Sequence, residues 1–487
     1  MQKYKIIHYL CIFILLSMLE LILNQIRDKK IIILGFGREG ASSYRFLRKH
    51  FPDMEIVAAD RSEILNTSEY INDPKLKFVL GEKYADNLND YDLIFKTPGI
   101  NLNHINYFIQ PQRITSQTEL FLYGYNQQVI GVTGTKGKST TSSLIYHILS
   151  HSRGNTFLAG NIGIPFFDII DQLDEDSIIV AELSAHQLEY TTISPHIALL
   201  LNMYQEHLDH FASLSNYQLA KMNITKYQSE SDVLIYNAED EYIPNLIKSH
   251  NYQRKMFKFS SMHAIDTGCY CLDDTVIRVN KGQVLGEYDL YRYDNLPGRH
   301  NYNNIMAAIL AVKQFDVSDE DILKHLASFK GLEHRIELVG TFNGIKFYND
   351  SISTSPEAAI AAVKALRKVD TLIIGGFDRG ISYDILINYL HQNPIAHIVF
   401  TGPAGRRIQQ EWEAKYPLPE AFIIEDDFTK IVDYCLHNTT EGKVCLLSPA
   451  ASSYDQFKNF EERGRRFKNE LQHFAENNVI KKTNEDE

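Results

Sequence analysis

The sequence predicts an α/β protein of three domains, each organised around a largely parallel sheet. Three observations predict it. Short apolar runs alternate with segments of helical periodicity, the pattern of strands buried on both faces between covering helices. Two glycine-rich turns, "GFGREG" and "TGTKGKST", each lie between such a run and a helix. The length, 487 residues, corresponds to about three domains at roughly 150 residues each.

Residues 1–26 are read as an N-terminal extension. The run "IIHYLCIFILLSMLELIL" is apolar and follows Lys3 and Lys5, but it contains His8 and Glu20 and lacks a small-residue cleavage site. From Met18 onward it reads as an amphipathic helix. The expectation is that translation starts at Met18 and residues 1–17 are a start-site artefact, with a membrane-tethered form as the competing reading. A first domain, 27–116, opens with the strand "KIIIL", the turn Gly35-x-Gly37-x-x-Gly40, a helix through Leu47, and the strand "EIVAAD" ending at Asp60. This is the βαβ opening of a Rossmann-like fold, with an acidic residue about 20 positions past the glycines. The strand "YDLIFK" then runs into "TPGI". A central domain, 117–331, carries the second glycine turn and the strands "SIIVAEL" and "HIALLLNM". A third, 332–487, has the strands "IKFYND", "TLIIGG", "HIVFTG" and "KVCLLSP" and a helix "SPEAAIAAVKALRK" with Pro356 in its first turn. The tail "KKTNEDE" reads as disordered.

Composition narrows the function. The net charge of −12 argues against a nucleic-acid binder, which needs clustered Lys and Arg. Five cysteines without framework spacing point to a reduced compartment, and Cys269-x-Cys271 lacks the second pair a zinc site needs.

The turn at 133–140 is the strongest chemical signal. A strand, a glycine loop and a helix N-terminus aim backbone N–H groups and a positive dipole end at one point, which favours an anion. The text departs from the strict GxxxxGK[ST] pattern, since Val132 stands where its first glycine would fall. Gly134, Thr135, Lys136, Gly137, Lys138, Ser139 and Thr140 nevertheless supply what a triphosphate needs, with Lys138 as the point charge and the Ser139 hydroxyl directed to Mg²⁺. Glu182 ends a buried strand, where an acid is costly unless it is paired or holds a cation. Its plainer reading is a cap for the next helix. Glu206, His207, Asp209 and His210 cluster after the following strand, a second candidate cation site or a solvated turn. Lys221 by itself reads as an exposed helix lysine. The 35–40 turn alone invites a nicotinamide-dependent oxidoreductase; beside a triphosphate loop it equally suits a pyrophosphate or UDP group of a substrate.

The order of "TGTKGKST", "GNIG", "ELSAHQLE", "EHLDHF", "GRHNYNN", "HRIE", "NDS" and "SPAASSYDQFKNFEERG" resembles the Mur ligase family of ATP-dependent amide-forming enzymes over about residues 30 to 470. The last block resembles most its D-glutamate-adding members. The resemblance implies N- and C-terminal Rossmann-like domains around a central P-loop ATPase domain. It also implies ATP, two Mg²⁺ ions, UDP-N-acetylmuramoyl-L-alanine and D-glutamate as ligands, and a cytoplasmic monomer with no nucleic-acid or membrane partner. Lys138, Glu182, His207 and Lys221 match catalytic positions. Ser139, Glu182, His207 and a carbamylated Lys221 would hold metal. Asn301, Asn304, Arg335 and Asp350 match nucleotide contacts, with the third domain closing on ATP. Gly37, Arg38, Glu39, Asp60, Arg61, Thr97, Gly99, Asn161, Ser184 and Gln187 match the UDP-sugar side. Thr354, Arg379, Ser453 and the backbone at Phe460 match D-glutamate recognition. Ile352 stands where many members carry a lysine near the incoming glutamate, and Arg379 is the expected compensation. A folylpolyglutamate synthase-like ligase is the alternative within the same chemistry.

Overall fold

The computed structural model describes residues 18–63, 69–70, 72–105, 107–249, 254–290, 296, 298, 300–366 and 368–485. The start-site expectation for residues 1–17 lies outside them. The chain divides into two compact units, Met1–Leu290 with Tyr302–Leu326, and Tyr291–Asn301 with Ala327–Glu487.

The first unit contains two sheets. Five parallel strands run in the order Leu76–Leu80, Ile56–Asp60, Ile31–Leu34, Leu93–Lys96 and Ile114–Thr115. The first strand lies mid-sheet, so the turn that follows it opens between Asp60 and Thr97. The second sheet has nine strands. From one edge these are Thr156–Gly160, Ile178–Glu182, Val129–Thr133, Ile197–Leu200, Val233–Asn237 and Lys255–Ser260, then the hairpin strands Gly268–Leu272, Thr275–Asn280 and Gln283–Asp289. Pairing is parallel as far as Gly268–Leu272 and antiparallel beyond it. The strand before the phosphate loop is buried throughout and has parallel neighbours on both sides, with Val132 beside Glu182 and Thr133 beside Leu200. Three carboxyl ends therefore meet at one place.

The helical segment 18–26 is amphipathic, as read from Met18 onward. Ile22 and Ile26 are fully buried one turn apart and join a core that contains residues of both sheets. Helix Gln117–Tyr125 lies so close to it that a Cβ at Gly124 would come within 2.7 Å of the Met18 carbonyl. Stacked pairs Phe46–Phe167 and Phe121–Phe166, at 4.0 and 4.7 Å, continue this core.

The second unit is a six-stranded sheet in the order Glu337–Phe342, Ile345–Asn349, Val444–Leu447, Val369–Gly375, His397–Thr401 and Ala421–Ile424, parallel except for its first hairpin. Pro356 opens helix Pro356–Ala365, capped by the Ser355 hydroxyl. The last described element is helix Phe460–Glu485, which reaches into "KKTNEDE". That stretch carries no glycine or proline to stop a helix once packing upstream has started it.

Candidate active site

In the phosphate loop Gly137 adopts φ 83° and leads straight into helix Lys138–Ser152. Glycine is required twice over, because a Cβ there would also lie 2.4 Å from Asn304 Oδ1. The sequence reading missed the brace beneath this loop. Asn202, just past a neighbouring strand, accepts from Lys136 N at 2.7 Å, donates to the Lys136 carbonyl at 3.0 Å, and gives its own carbonyl to Thr135 N at 2.9 Å. Thr135 Oγ1 is held by Tyr204 N and by the Tyr217 hydroxyl. The loop is thus held at Thr135 and Lys136, directly before the start of helix Lys138–Ser152, whose first N–H groups have no partner within the helix. Lys138 Nζ donates to the carbonyls of Gly134 and Thr135 at 2.9 and 3.1 Å. Ser139 is half-buried in the first turn and Thr140 is buried. Exposed Lys136 pairs with Glu206 at 2.5 Å.

Glu182 does not cap the next helix. Ser184 and Gln187 do, through a reciprocal capping box in which Gln187 N donates to Ser184 Oγ and Ser184 N to Gln187 Oε1. The Glu182 carboxylate is 1% exposed. One oxygen accepts from Asn161 Nδ2 at 2.6 Å, and the other, Oε2, is buried without a partner. A buried carboxylate oxygen left unpaired costs about 1–3 kcal/mol. The hydroxyl of buried Thr133 is unpaired as well. Two hard, unsatisfied oxygens at the mouth of an anion loop fit a magnesium ion.

Lys221 corrects the exposed-lysine reading. It is 1% exposed, donates to the Gly134 carbonyl at 2.8 Å, and lies 4.7 Å from the centre of the Tyr217 ring. Burial, and then the charge of Lys138, push its pKa well below the ordinary lysine range.

The cluster at 206–210 divides. His207, in the left-handed conformation (φ 56°) with its side chain 51% exposed, lies 3.9 Å from Glu206. His210 turns away, buried, to Glu189 at 3.0 Å, and Glu189 also meets the buried Lys96 at 3.4 Å. His186 packs 4.8 Å from the His207 ring and 4.4 Å from His210. Burial, with positive charge around it, pushes its pKa to about 4.

In the five-stranded sheet, Gly37, Arg38, Glu39, Asp60, Arg61, Thr97 and Gly99 line one cleft of about 480 Å³. Asp60 accepts from Phe36 N at 2.7 Å and fixes the turn. Gly35 (φ 93°) lies so near Thr97 that no side chain fits between them. Arg38 reaches the carbonyls of Gly160, Asn161 and Gly163 at 3.2–3.3 Å, which joins this cleft to the loop carrying Asn161. Burial lifts the Glu39 carboxyl to about 7, against the opposing pull of Gln187, Arg38 and Lys96. The folded chain thus binds this proton more tightly than the unfolded chain, so stability falls as pH rises from the usual 4.5 towards 7. Glu39→Gln is expected to remove that decline and to stabilise the ligand-free chain by ~2 kcal/mol at about pH 8, with little effect at about pH 5. Thermal unfolding of both proteins across this range checks it.

Asn301 and Asn304 lie one turn apart on helix His300–Val312, both buried. Asn304 Oδ1 accepts from Thr141 Oγ1 at 3.2 Å, in the first turns of the phosphate-loop helix.

The second unit gathers its own set at the carboxyl ends of three adjacent strands. Asp350 is buried, accepts from Ser353, Ser448 and Ile336 N, and is pushed up to about 6 by burial. Arg335 is exposed near it. Exposed Arg379 donates to the Thr354 carbonyl at 2.6 Å. Ser453 is buried, and the Phe460 carbonyl accepts from Ser351 Oγ at 2.7 Å. Ile352 is half-buried, its N–H on the His334 carbonyl. The residue that sequence reading missed is Arg463. Its buried guanidinium donates to Ser351 Oγ and to the carbonyls of Ser351, Ala451 and Ser452 at 2.8–3.0 Å. The only signal was its place in "NFEERG".

Three family models match the chain: the Mur ligase MurD-like N-terminal domain over residues 29–112, the Mur ligase middle domain over 132–312, and the Mur ligase glutamate ligase domain over 334–451. UDP-N-acetylmuramoylalanine--D-glutamate ligase from Clostridium kluyveri is 34% identical over 452 residues, covering 91% of this chain and 96% of that protein. The enzyme of the same name from Acetivibrio thermocellus is 33% identical over 459 residues, with the same coverage. Among solved structures, the UDP-N-acetylmuramate-alanine ligase from Thermotoga maritima shares the fold, with TM-score 0.55 and 19% identity over 92% of this chain and all of that one. With all three domains matched, in order and over nearly the whole length, the chain belongs to the Mur ligase family.

Proposed function

We infer that the chain is an ATP-dependent ligase that joins D-glutamate to UDP-N-acetylmuramoyl-L-alanine, releasing ADP and phosphate, in the synthesis of peptidoglycan precursors. The observation that carries the chemistry is the unpaired, buried Glu182 oxygen beside an anion loop. The relatives named as D-glutamate ligases, similar over 91% of the chain, carry the choice of substrates.

In this reading the loop N–H groups and Lys138 hold the triphosphate, with Asn301, Asn304, Arg335 and Asp350 on the nucleotide. The acceptor carboxylate attacks the γ-phosphorus, the bond to the bridging oxygen breaks, and ADP leaves. The D-glutamate amine then adds to the acyl carbon, loses its proton, and phosphate departs. Ser139, Glu182, His207 and Lys221 would hold magnesium, which cancels charge between the two anions that must meet. Lys221 takes part as its carbamate: the neutral amine bonds to carbon dioxide and sheds a proton, giving an anionic oxygen ligand. The cleft at Gly37, Arg38, Glu39, Asp60, Arg61, Thr97 and Gly99, with Asn161, Ser184 and Gln187, takes the UDP-sugar. Thr354, Arg379, Ser453 and the Phe460 backbone take D-glutamate, with Arg379 replacing the lysine absent at Ile352.

The test is phosphate release with ATP, magnesium and UDP-N-acetylmuramoyl-L-alanine. Release that depends on D-glutamate and not on L-glutamate supports the reading. Dependence on L-glutamate with a folate acceptor would replace it. Lys221→Ala is expected to lose about 10²- to 10³-fold in turnover, and removing carbon dioxide is expected to slow the wild-type enzyme alone.

A further inference from the structure

Three imidazoles meet at the far end of helix Lys138–Ser152. His147 and His151 lie one turn apart on it, and His325 comes from helix Asp319–Ser328. Their ligating atoms lie within 4.8 Å of one another. Ring centres are 4.5 Å apart for His147 and His151, 5.0 Å for His151 and His325, and 6.0 Å for His147 and His325. His325 is buried, His147 half-buried and His151 exposed, so the group opens to solvent at His151. His151 Nδ1 lies 2.7 Å from the His147 carbonyl. That bond needs Nδ1 to carry the proton and leaves Nε2 as a lone-pair ligand, the tautomer that metal-binding histidines adopt. Burial and the neighbouring rings lower the pKa of His147 and of His325, with Lys324 adding to the effect and Asp321 opposing it.

We propose that His147, His151 and His325 form a binding site for a divalent transition ion of the zinc class, with water completing its shell. An all-imidazole set suits zinc, cobalt, nickel or copper and not magnesium, which prefers oxygen. Nitrogens at about 2.0–2.1 Å from a tetrahedral ion are roughly 3.4 Å apart. Small ring rotations that close the present spread by about 1.4 Å therefore suffice. At ~1.5 Å per residue along the helix, the site stands roughly 15–20 Å from the phosphate loop, so it is separate from the magnesium site. An ion there would tie the helix that begins at that loop to helix Asp319–Ser328. Arg153, which donates to the Phe315 carbonyl, already links the same helix to the segment before Asp319.

The experiment uses the untagged full chain, stripped of metal and kept in excess magnesium. Zinc is titrated by calorimetry, and cobalt by the visible absorption of a tetrahedral complex. The expected result is one equivalent bound, weakened about 10- to 100-fold by H151A and by H147A and unchanged by E182Q. His151 is exposed, so its substitution leaves folding intact. No uptake, equal uptake by the histidine variants, or loss of uptake in E182Q would overturn the proposal.

Discussion

Glu182→Gln is expected to lower turnover by about 10²- to 10³-fold and to raise the magnesium concentration needed for half-maximal rate, while leaving the ligand-free chain at least as stable. The first effect follows from the loss of a charged oxygen aimed at the place where two anions must approach, the kind of electrostatic contribution that dominates phosphoryl transfer. The second follows from the unpaired Oε2. The amide oxygen still accepts from Asn161, and an uncharged group takes the place of a buried, half-satisfied carboxylate. Magnesium-dependent kinetics and thermal unfolding without nucleotide read the two effects separately. A variant that lost stability and activity together would show that Glu182 is part of the scaffold.

Arg463→Ala is expected to destabilise the second unit by about 3–5 kcal/mol, because it takes this donor from the buried carbonyls of Ser351 and Ala451 and from the Ser351 hydroxyl, while the Ser452 carbonyl keeps the Phe377 N–H. Its guanidinium, pushed down to about 10 by burial, remains charged at neutral pH. Lysine cannot reproduce a planar fork that reaches four acceptors, so Arg463→Lys is expected to recover little. The chain has one tryptophan, Trp412, buried in this unit with its N–H on the Pro417 carbonyl. Its fluorescence during urea unfolding reports this unit selectively. A shift equivalent to less than about 1 kcal/mol would refute the assignment. Because the same guanidinium fixes the segments at 351 and 451–452, the Michaelis constant for D-glutamate is expected to rise in any folded fraction.

The legible parts of the sequence were the local ones. A buried strand, a glycine turn and a helix start are written in consecutive residues, so both turns and the strands that position them could be read directly. The glycine turn at Gly37 and the strand end at Asp60 are legible from their spacing, whereas Thr97 joins them only through the family resemblance. What could not be read depends on partners far along the chain. Lys221 sits on a helix whose buried face is decided by the sheet beneath it. Arg463 fastens carbonyls as far as 112 positions away, and Asn202 braces a loop 66 positions earlier. The S-x-x-Q pattern of Ser184 and Gln187 was visible as a capping signal, yet it was read only as a substrate contact.

The helical segment at 18–26 has a consequence for how the first unit is held together. Ile22 and Ile26 serve as a floor beneath two sheets at once, and Gly124 is bare so that this floor can seat flush. The segment thus shares one apolar core with Ile31 and Ile33, which lead into the turn at Gly35, and with Val129, which opens the strand before Gly134, so loosening it is felt at both turns.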